Sequence, residues 1–70
     1  MPAAKIIKQL LIERGKSVKD LAHYWGVTPQ SMSNKLYRDK FTYEEVLQIM
    51  VFLNCDVKII TRDTKKEFIT

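Results

Sequence analysis

The side chains best suited to chemistry lie between residues 28 and 38, where amide, hydroxyl and cationic groups occur without a single carboxylate. In a helix with Met32 and Leu36 facing inward, the polar side chains would lie on the outer face. Glutamine and asparagine can bond adenine through two hydrogen bonds, and lysine or arginine can reach guanine. An ordinary solvated helix would present a similarly polar face. The pattern favours contacts with DNA base edges by Thr28, Gln30, Ser31, Asn34, Lys35 and Arg38.

A second group of residues is suited to binding phosphates, which positions a protein on DNA without selecting a sequence. The free backbone amides at the start of a helix capped by Ser17 would favour an anion. Lysine and hydroxyl side chains lie near this position and after the polar segment, although any one lysine could simply be solvated. The predicted phosphate contacts are Lys16, Ser17, Lys19, Lys40, Thr42 and Tyr43.

Two short helices joined by a tight turn must position these residues. Ser17 caps the first helix, with Asp20 three residues later as a weak capping box. Gly26 ends it, because glycine enters a left-handed turn without steric penalty. Ala22 is small where a second helix would press closest, and residues 28–29, Thr-Pro, start that helix. This arrangement predicts a helix-turn-helix, which lays its second helix in the DNA major groove.

A helix is predicted on each side of this motif. The first covers residues 4–14 and carries an apolar stripe at Ile6, Ile7, Leu10 and Leu11. The fourth begins at a full capping box of Thr42 and Glu45 and runs to about Leu53, with Asn54 as a left-handed C-cap. Its predicted buried residues are Val46, Leu47, Met50 and Leu53, with Ile49 and Phe52 flanking them.

The sequence pattern changes after Asn54. Residues 55–62, CDVKIITR, are rich in β-branched residues, and residues 67–70 would return as a second strand after a turn over residues 63–66. In that register Arg62 faces Glu67 and Ile60 faces Ile69. An isolated hairpin is marginal and its edge can template another chain, so we expect it to pair with a second subunit, or else to fold back on its own helices. The predicted dimerisation residues are Val57, Ile59, Ile60, Phe68 and Ile69.

Length and composition limit the classes of function. Seventy residues make one domain, with residues 1–54 as the DNA-binding part and residues 55–70 as a β tail of the same domain. The net charge of +4 suits a polyanion. Apolar runs are too short for a membrane span, and a single cysteine, Cys55, fits a reducing compartment. We therefore expect a cytoplasmic protein with no membrane partner.

Catalytic and metal chemistry have little support in the sequence. His23 is the one histidine and Cys55 is distant from it, so we expect no metal or other cofactor. No carboxylate pair accompanies a nucleophile or metal cluster, and there is no glycine-rich phosphate loop. We therefore expect that the chain is not an enzyme. Seventy residues also leave no room for an effector domain, so no small-molecule effector is expected.

Residues 16–36, KSVKDLAHYWGVTPQSMSNKL, and residues 41–53, FTYEEVLQIMVFL, resemble bacterial and phage regulators of the Cro/C1 (xenobiotic-response-element) class. Ala22, Gly26 and Met32 stand at the small, turn and apolar positions of that motif. The resemblance implies a mainly α, lambda-repressor-like domain of four helices, here with a C-terminal β-strand or β-hairpin. It also implies a small repressor that binds double-stranded DNA as a homodimer on a palindromic operator. In this family Gln30, Ser31 and Asn34 would occupy base-contacting positions, and Ser33 is a further candidate base contact.

Two features depart from the family pattern. Trp25 occupies a core position that usually holds leucine, and the chain after Asn54 is β-like where most members continue into a fifth helix. In the second respect it is similar to Cro-type proteins, which dimerise through a C-terminal strand. A different class of function also fits: a protein-interaction module or antitoxin that uses the helix-turn-helix scaffold and the tail to dock a partner.

Overall fold

Four helices and one hairpin follow each other along the chain in the computed structural model, which describes residues 2–69. The helices are α1 (Ala4–Glu13), α2 (Val18–Trp25), α3 (Pro29–Arg38) and α4 (Tyr43–Phe52), and the strands are β1 (Lys58–Ile60) and β2 (Glu67–Ile69). The predicted mainly α fold with a C-terminal hairpin is confirmed. Thr70, the predicted end of the second strand, lies outside the described residues.

The core is formed by one face of each helix. Ile7, Leu21, Met32, Ile49 and Leu53 are its largest fully buried side chains. The most extensive helix pair is α2 with α3, and fully buried Ala22 lies on α2, as its small size predicted. No helix within residues 2–69 has the length and apolar character that crossing a bilayer requires.

Burial differs from the prediction at two positions in α4. Ile49, predicted to flank the stripe of α4, is fully buried, and Leu47, predicted to be buried, is only half-buried. The observed stripe is Val46, Ile49, Met50 and Leu53, the i, i+3, i+4, i+7 pattern of a helix with one face on a core. In α1, Ile6 is 49% exposed while Ile7 is buried, because the stripe of this helix also falls on one narrow face.

The predicted turns and caps are present. Gly26 ends α2 in the left-handed conformation with φ of 70°, and Asn54 follows α4 with φ of 58°. Ser17 and Asp20 form a reciprocal capping box on α2, with both backbone amides bonded to the other residue's side chain. Thr42 and Glu45 do the same on α4. These local bonds define where α2 and α4 begin.

The start of α1 is capped by a residue far away in sequence. Asp39 Oδ1 accepts hydrogen bonds of 2.8 Å from both the Ala3 and the Ala4 backbone N–H. Asp39 is also the left-handed C-cap of α3, with φ of 54°. One residue therefore ends α3 and satisfies two of the free amides with which α1 begins. No local pattern in the sequence indicates this contact, because the residues are 35 and 36 positions apart.

The hairpin has a different register from the predicted one. Ile60 pairs with Glu67, Ile59 with Phe68 and Lys58 with Ile69. The turn lies one residue earlier than predicted, because Thr61 closes it: its carbonyl accepts the Lys65 N–H and its hydroxyl accepts the Lys66 N–H. Ile60 and Ile69 still lie on the same face of the hairpin, because side chains alternate between the two faces along each strand. The ion pair on this face joins Lys58 and Glu67 at 2.7 Å, in place of the predicted pair of Arg62 and Glu67.

Replacing Asp39 tests the long-range cap. Asp39→Ala should lower the free energy of unfolding by about 1–3 kcal/mol, because two amides lose their acceptor and alanine is strained at positive φ. Asp39→Asn should cost less than about 1 kcal/mol, because asparagine keeps an oxygen at this position and tolerates left-handed backbone. Urea unfolding followed by circular dichroism measures both. Equal losses in the two variants would contradict the cap.

Candidate nucleic-acid interface

The outer face of α3 is where sequence analysis placed the base-contacting residues. Met32 and Leu36 are buried against the core, with 1% and 3% of their surface exposed. Residues on the opposite side of the helix are open to solvent. Six of the seven predicted base contacts are exposed, namely Thr28, Gln30, Ser31, Ser33, Asn34 and Arg38.

Hydrogen bonds within α3 order part of this face. Thr28 Oγ1 accepts the Ser31 N–H at 3.1 Å and donates to Ser31 Oγ at 3.0 Å, which fixes the start of the helix. Gln30 Nε2 donates to Asn34 Oδ1 at 3.1 Å, one turn further on. Two amide side chains are thus held next to each other, with the Gln30 oxygen and the Asn34 amino group left for further bonds.

Lys35 is the exception among the seven. Its ammonium lies 3.1 Å from Glu45 Oε2 on α4 and 3.4 Å from the Lys40 carbonyl oxygen. Its side chain is 27% exposed, because it reaches across to Glu45 of α4 instead of pointing into solvent. The structure therefore separates Lys35 from the exposed face.

Tyr37 also belongs to the exposed face, although it was not among the predicted base contacts. Its surface is 88% exposed. It follows Gln30 by seven residues and Asn34 by three, spacings that place all three on the same side of a helix. That spacing was the signal in the sequence that could have identified it. The other aromatic residues differ, since Phe41 is buried and Tyr24 stacks on Phe52 with ring centroids 4.7 Å apart.

The first group of predicted phosphate contacts surrounds the start of α2. Lys16 and Lys19 line an open groove together with Phe52, and the Lys16 ammonium lies 5.5 Å from the Phe52 ring centroid. The capping box already uses the amides of Ser17 and Asp20. Within residues 2–69, the Val18 and Lys19 amides are then the ones left at this helix start for an external acceptor.

The Asp20 carboxylate adds a negative charge to this group. Hydrogen bonds from the Ser17 backbone and hydroxyl lower the pKa of Asp20, and Lys16 and Lys19 lower it further. The carboxylate therefore stays ionised beside the two lysines. Sequence analysis regarded this helix start as favourable to anions, and the structure shows that the protein itself supplies one anion there.

The second group lies at the start of α4. Lys40, Thr42 and Tyr43 are exposed, and Thr42 Oγ1 accepts the Glu45 N–H at 3.1 Å. The bond from the Thr42 backbone N–H is the main cause that lowers the pKa of Glu45, and Lys35 contributes to the same direction. The two groups lie at opposite ends of α4, because Phe52 ends this helix and Tyr43 begins it.

Within residues 2–69, no group of three or more histidine, cysteine, aspartate or glutamate side chains could hold a metal ion. His23 is exposed on α2, and Cys55 is half-buried beside the core, its thiol 3.4 Å from the Leu53 carbonyl oxygen. Trp25 is also half-buried, and its Nε1 is buried without a hydrogen-bond partner.

Comparison with known proteins agrees with this geometry. The family model of the Cro/C1-type HTH DNA-binding domain matches residues 6–62. The chain belongs to this family. The match includes the whole helix-turn-helix and continues through β1, past the boundary at residue 54 that the sequence suggested. Searches of curated proteins and of solved structures returned no significant match.

Membership of the family makes this a DNA-binding domain of the Cro/C1 type. In this domain the helix-turn-helix consists of α2, the turn at Gly26 and α3, so α3 is the recognition helix. The exposed polar face described above is therefore the face of the recognition helix.

The two capping carboxylates make stability dependent on pH. Their pKa values are lowered from 3.8 for Asp20 and 4.5 for Glu45, so at acid pH the unfolded chain binds more protons than the folded one. The stabilisation that the two carboxylates contribute is therefore complete when the pH is above these ordinary pKa values. It is lost as the pH falls through the lower pKa values of the folded state. The difference in melting temperature between the wild type and the double variant Asp20→Asn/Glu45→Gln should shrink steadily as the pH falls below these ordinary values. A gap of constant size from pH 7 to pH 3 in thermal scans would disprove this.

Proposed function

We propose that this Cro/C1-type domain is a sequence-specific transcriptional regulator that represses as a homodimer bound to a palindromic operator. The observation that carries the proposal is the recognition-helix face, which is exposed, lacks carboxylates from residue 28 to residue 38, and presents the ordered Gln30–Asn34 pair. An ordinary solvated helix would be similarly polar, but the lack of carboxylates along the whole segment favours a polyanion as its ligand.

The six exposed residues, Thr28, Gln30, Ser31, Ser33, Asn34 and Arg38, make the base contacts. Gln30 and Asn34 lie opposite the buried side of the recognition helix, so they reach furthest into a major groove. The amide pair suits adenine, because adenine offers one donor and one acceptor on its groove edge. Arg38 is one turn beyond Asn34 and can bond guanine or a phosphate.

The two phosphate-binding groups fit the two backbones that bound a major groove. Lys16, Ser17 and Lys19 lie at the Phe52 end of α4, and Lys40, Thr42 and Tyr43 lie at the Tyr43 end. A helix of 10 residues is roughly 15 Å long. This length is close to the width of about 12 Å of the major groove. Each group can therefore contact a different strand while the recognition helix lies between them.

The hairpin supports the dimer. All six residues of β1 and β2 are exposed, and the apolar ones leave large fractions of their surface in water: Ile59 55%, Ile60 52%, Phe68 56% and Ile69 61%. Val57, just before β1, is partly buried against the core and joins the hairpin to the domain. A two-stranded hairpin with apolar residues on both faces gains stability from a second copy.

A symmetric dimer would place its recognition helices about 34 Å apart, in successive major grooves on one side of the DNA. Occupation of a promoter in this way excludes polymerase by steric overlap. Regulation would then depend on the concentration or removal of the protein, in line with our expectation of no small-molecule effector.

Selection of bound duplexes from a random pool at moderate salt tests the proposal as a whole. A palindrome with half-sites one helical turn apart is expected. Enrichment of a single half-site would contradict the symmetric dimer while leaving the sequence-specific reader. No enrichment, with binding that is insensitive to salt, would overturn the proposal and favour a module that docks a protein, because phosphate binding must weaken steeply as salt rises.

Two substitutions separate base contacts from phosphate contacts. Asn34→Ala should cost about 1–3 kcal/mol on the selected duplex and relax one base position. Lys40→Ala should weaken selected and random duplexes alike and reduce the salt slope of the binding constant by about one. Fluorescence anisotropy at several salt concentrations measures both. Equal losses on selected and random DNA for Asn34→Ala would refute its reading role.

Substitution in the hairpin tests the dimer. Ile69→Lys should shift the protein from dimer to monomer, because it places a charge where an apolar side chain, 61% exposed in the single chain, would be buried between subunits. Val51→Lys is the matched control, since Val51 is 72% exposed on α4, outside the hairpin. Sedimentation equilibrium measures the molecular mass. A wild-type monomer, or equal dissociation in both variants, would contradict the hairpin interface.

A further inference from the structure

The Lys35 ammonium contacts parts of the chain on either side of the recognition helix. It lies 5.7 Å from the ring centroid of Trp25, the last residue of α2, and 5.2 Å from that of Phe41, in the segment between α3 and α4. Both distances are in the range of a cation–π interaction. The ion pair with Glu45 adds α4. One side chain of the recognition helix therefore touches α2, α4 and the connection that leads into α4.

Glu45 extends this contact to a predicted phosphate site. Its Oε2 pairs with Lys35, while its Oε1 accepts the Thr42 backbone N–H at 2.8 Å. Thr42 is one of the proposed phosphate contacts at the start of α4. A continuous path of ion pair and hydrogen bond thus runs from the recognition helix to a residue expected to hold the DNA backbone.

The position of Lys35 on the helix determines which motion its ion pair with Glu45 restrains. It follows Met32 by three residues and precedes Leu36, so it borders the buried stripe on one side. The packing on α2 holds α3 along a narrow apolar line, formed by Met32 and Leu36. An ammonium held by Glu45 at the edge of that line adds a restraint against rotation of the helix about its own axis, which would carry Gln30 and Asn34 away from the groove.

We propose that Lys35 is a positioning residue that sets the rotation of the recognition helix through Glu45, instead of a residue that contacts a base. The inference rests on the proposed sequence-specific binding. Lys35 and Glu45 then form one functional unit, which we call the Lys35–Glu45 clasp. Disturbing either member alters the reading of several base pairs at once, because all side chains of the helix move together.

Three variants test the clasp: Lys35→Met, Glu45→Gln and the double variant. Methionine is unbranched and keeps the packing on the two rings, and glutamine keeps the capping box. Each single variant should weaken binding to the selected duplex about tenfold, relax discrimination at several positions and leave the salt slope unchanged. The double variant should bind about as well as the weaker single variant, because the two residues act through the same contact.

Lys8→Met is the control variant. It removes one positive charge from α1 and should leave discrimination between duplexes unchanged. Relaxation at one base pair only would make Lys35 a base contact, and a salt slope reduced by about one, as for Lys40→Ala, would make it a phosphate contact. Additive losses in the double variant, or unchanged discrimination, would also overturn the clasp. Assays run below each variant's melting temperature, measured by circular dichroism, exclude unfolding as the cause.

Failure of the clasp is distinguishable from failure of the proposed function. Wild-type protein that selects no sequence from the random pool overturns sequence-specific reading, and the clasp with it. Wild-type protein that selects a sequence, with Lys35→Met and Glu45→Gln that select the same one as sharply, overturns the clasp alone.

Discussion

The packing of α2 against α3 is the constraint on which the rest of this domain depends. The two helices can approach closely because Ala22 has no more than a methyl group and is fully buried, and they can turn sharply because Gly26 adopts φ of 70°. Thr28 starts α3 immediately after that turn. With α3 held in this way, Met32 and Leu36 face the core, and the polar residues of α3 face the solvent.

Polar contacts near the end of α3 connect the recognition helix to α1 and α4. Asp39 at the end of α3 holds the start of α1, and Lys35 near the same end holds α4 through Glu45. The Lys35–Glu45 ion pair is partly open to water, where such a pair contributes little to stability. Its value lies in geometry, because it adds a restraint at the edge of a helix of 10 residues whose buried side chains are Met32 and Leu36.

The hairpin, unlike the helices, does not bury a face against the core. Its residues are exposed on both faces, and its link to the domain runs through Cys55 and Val57, which are only partly buried. Local bonds around Thr61 determine its register, and the Lys58–Glu67 ion pair adds to one face. The helices therefore complete a core within one chain, while the hairpin keeps apolar surface that one chain does not cover. This division agrees with a tail whose role is association.

The amino-acid pattern was enough to predict the four helices, their limits to within about one residue, and the turn at Gly26. These features depend on caps, glycine and apolar spacing, which act between residues no more than four apart. It also identified the Cro/C1 family and the polar face of α3, since the period of a helix places Gln30 and Asn34 together. The tertiary structure alone decided which residues meet across the fold. Asp39 reaches α1, Lys35 turns to Glu45, and Ile49 replaces Leu47 in the core. The hairpin register was decided by the hydroxyl and carbonyl of Thr61. The first three outcomes depend on distances between elements, and the register depends on which side chain closes the turn; a linear pattern contains neither.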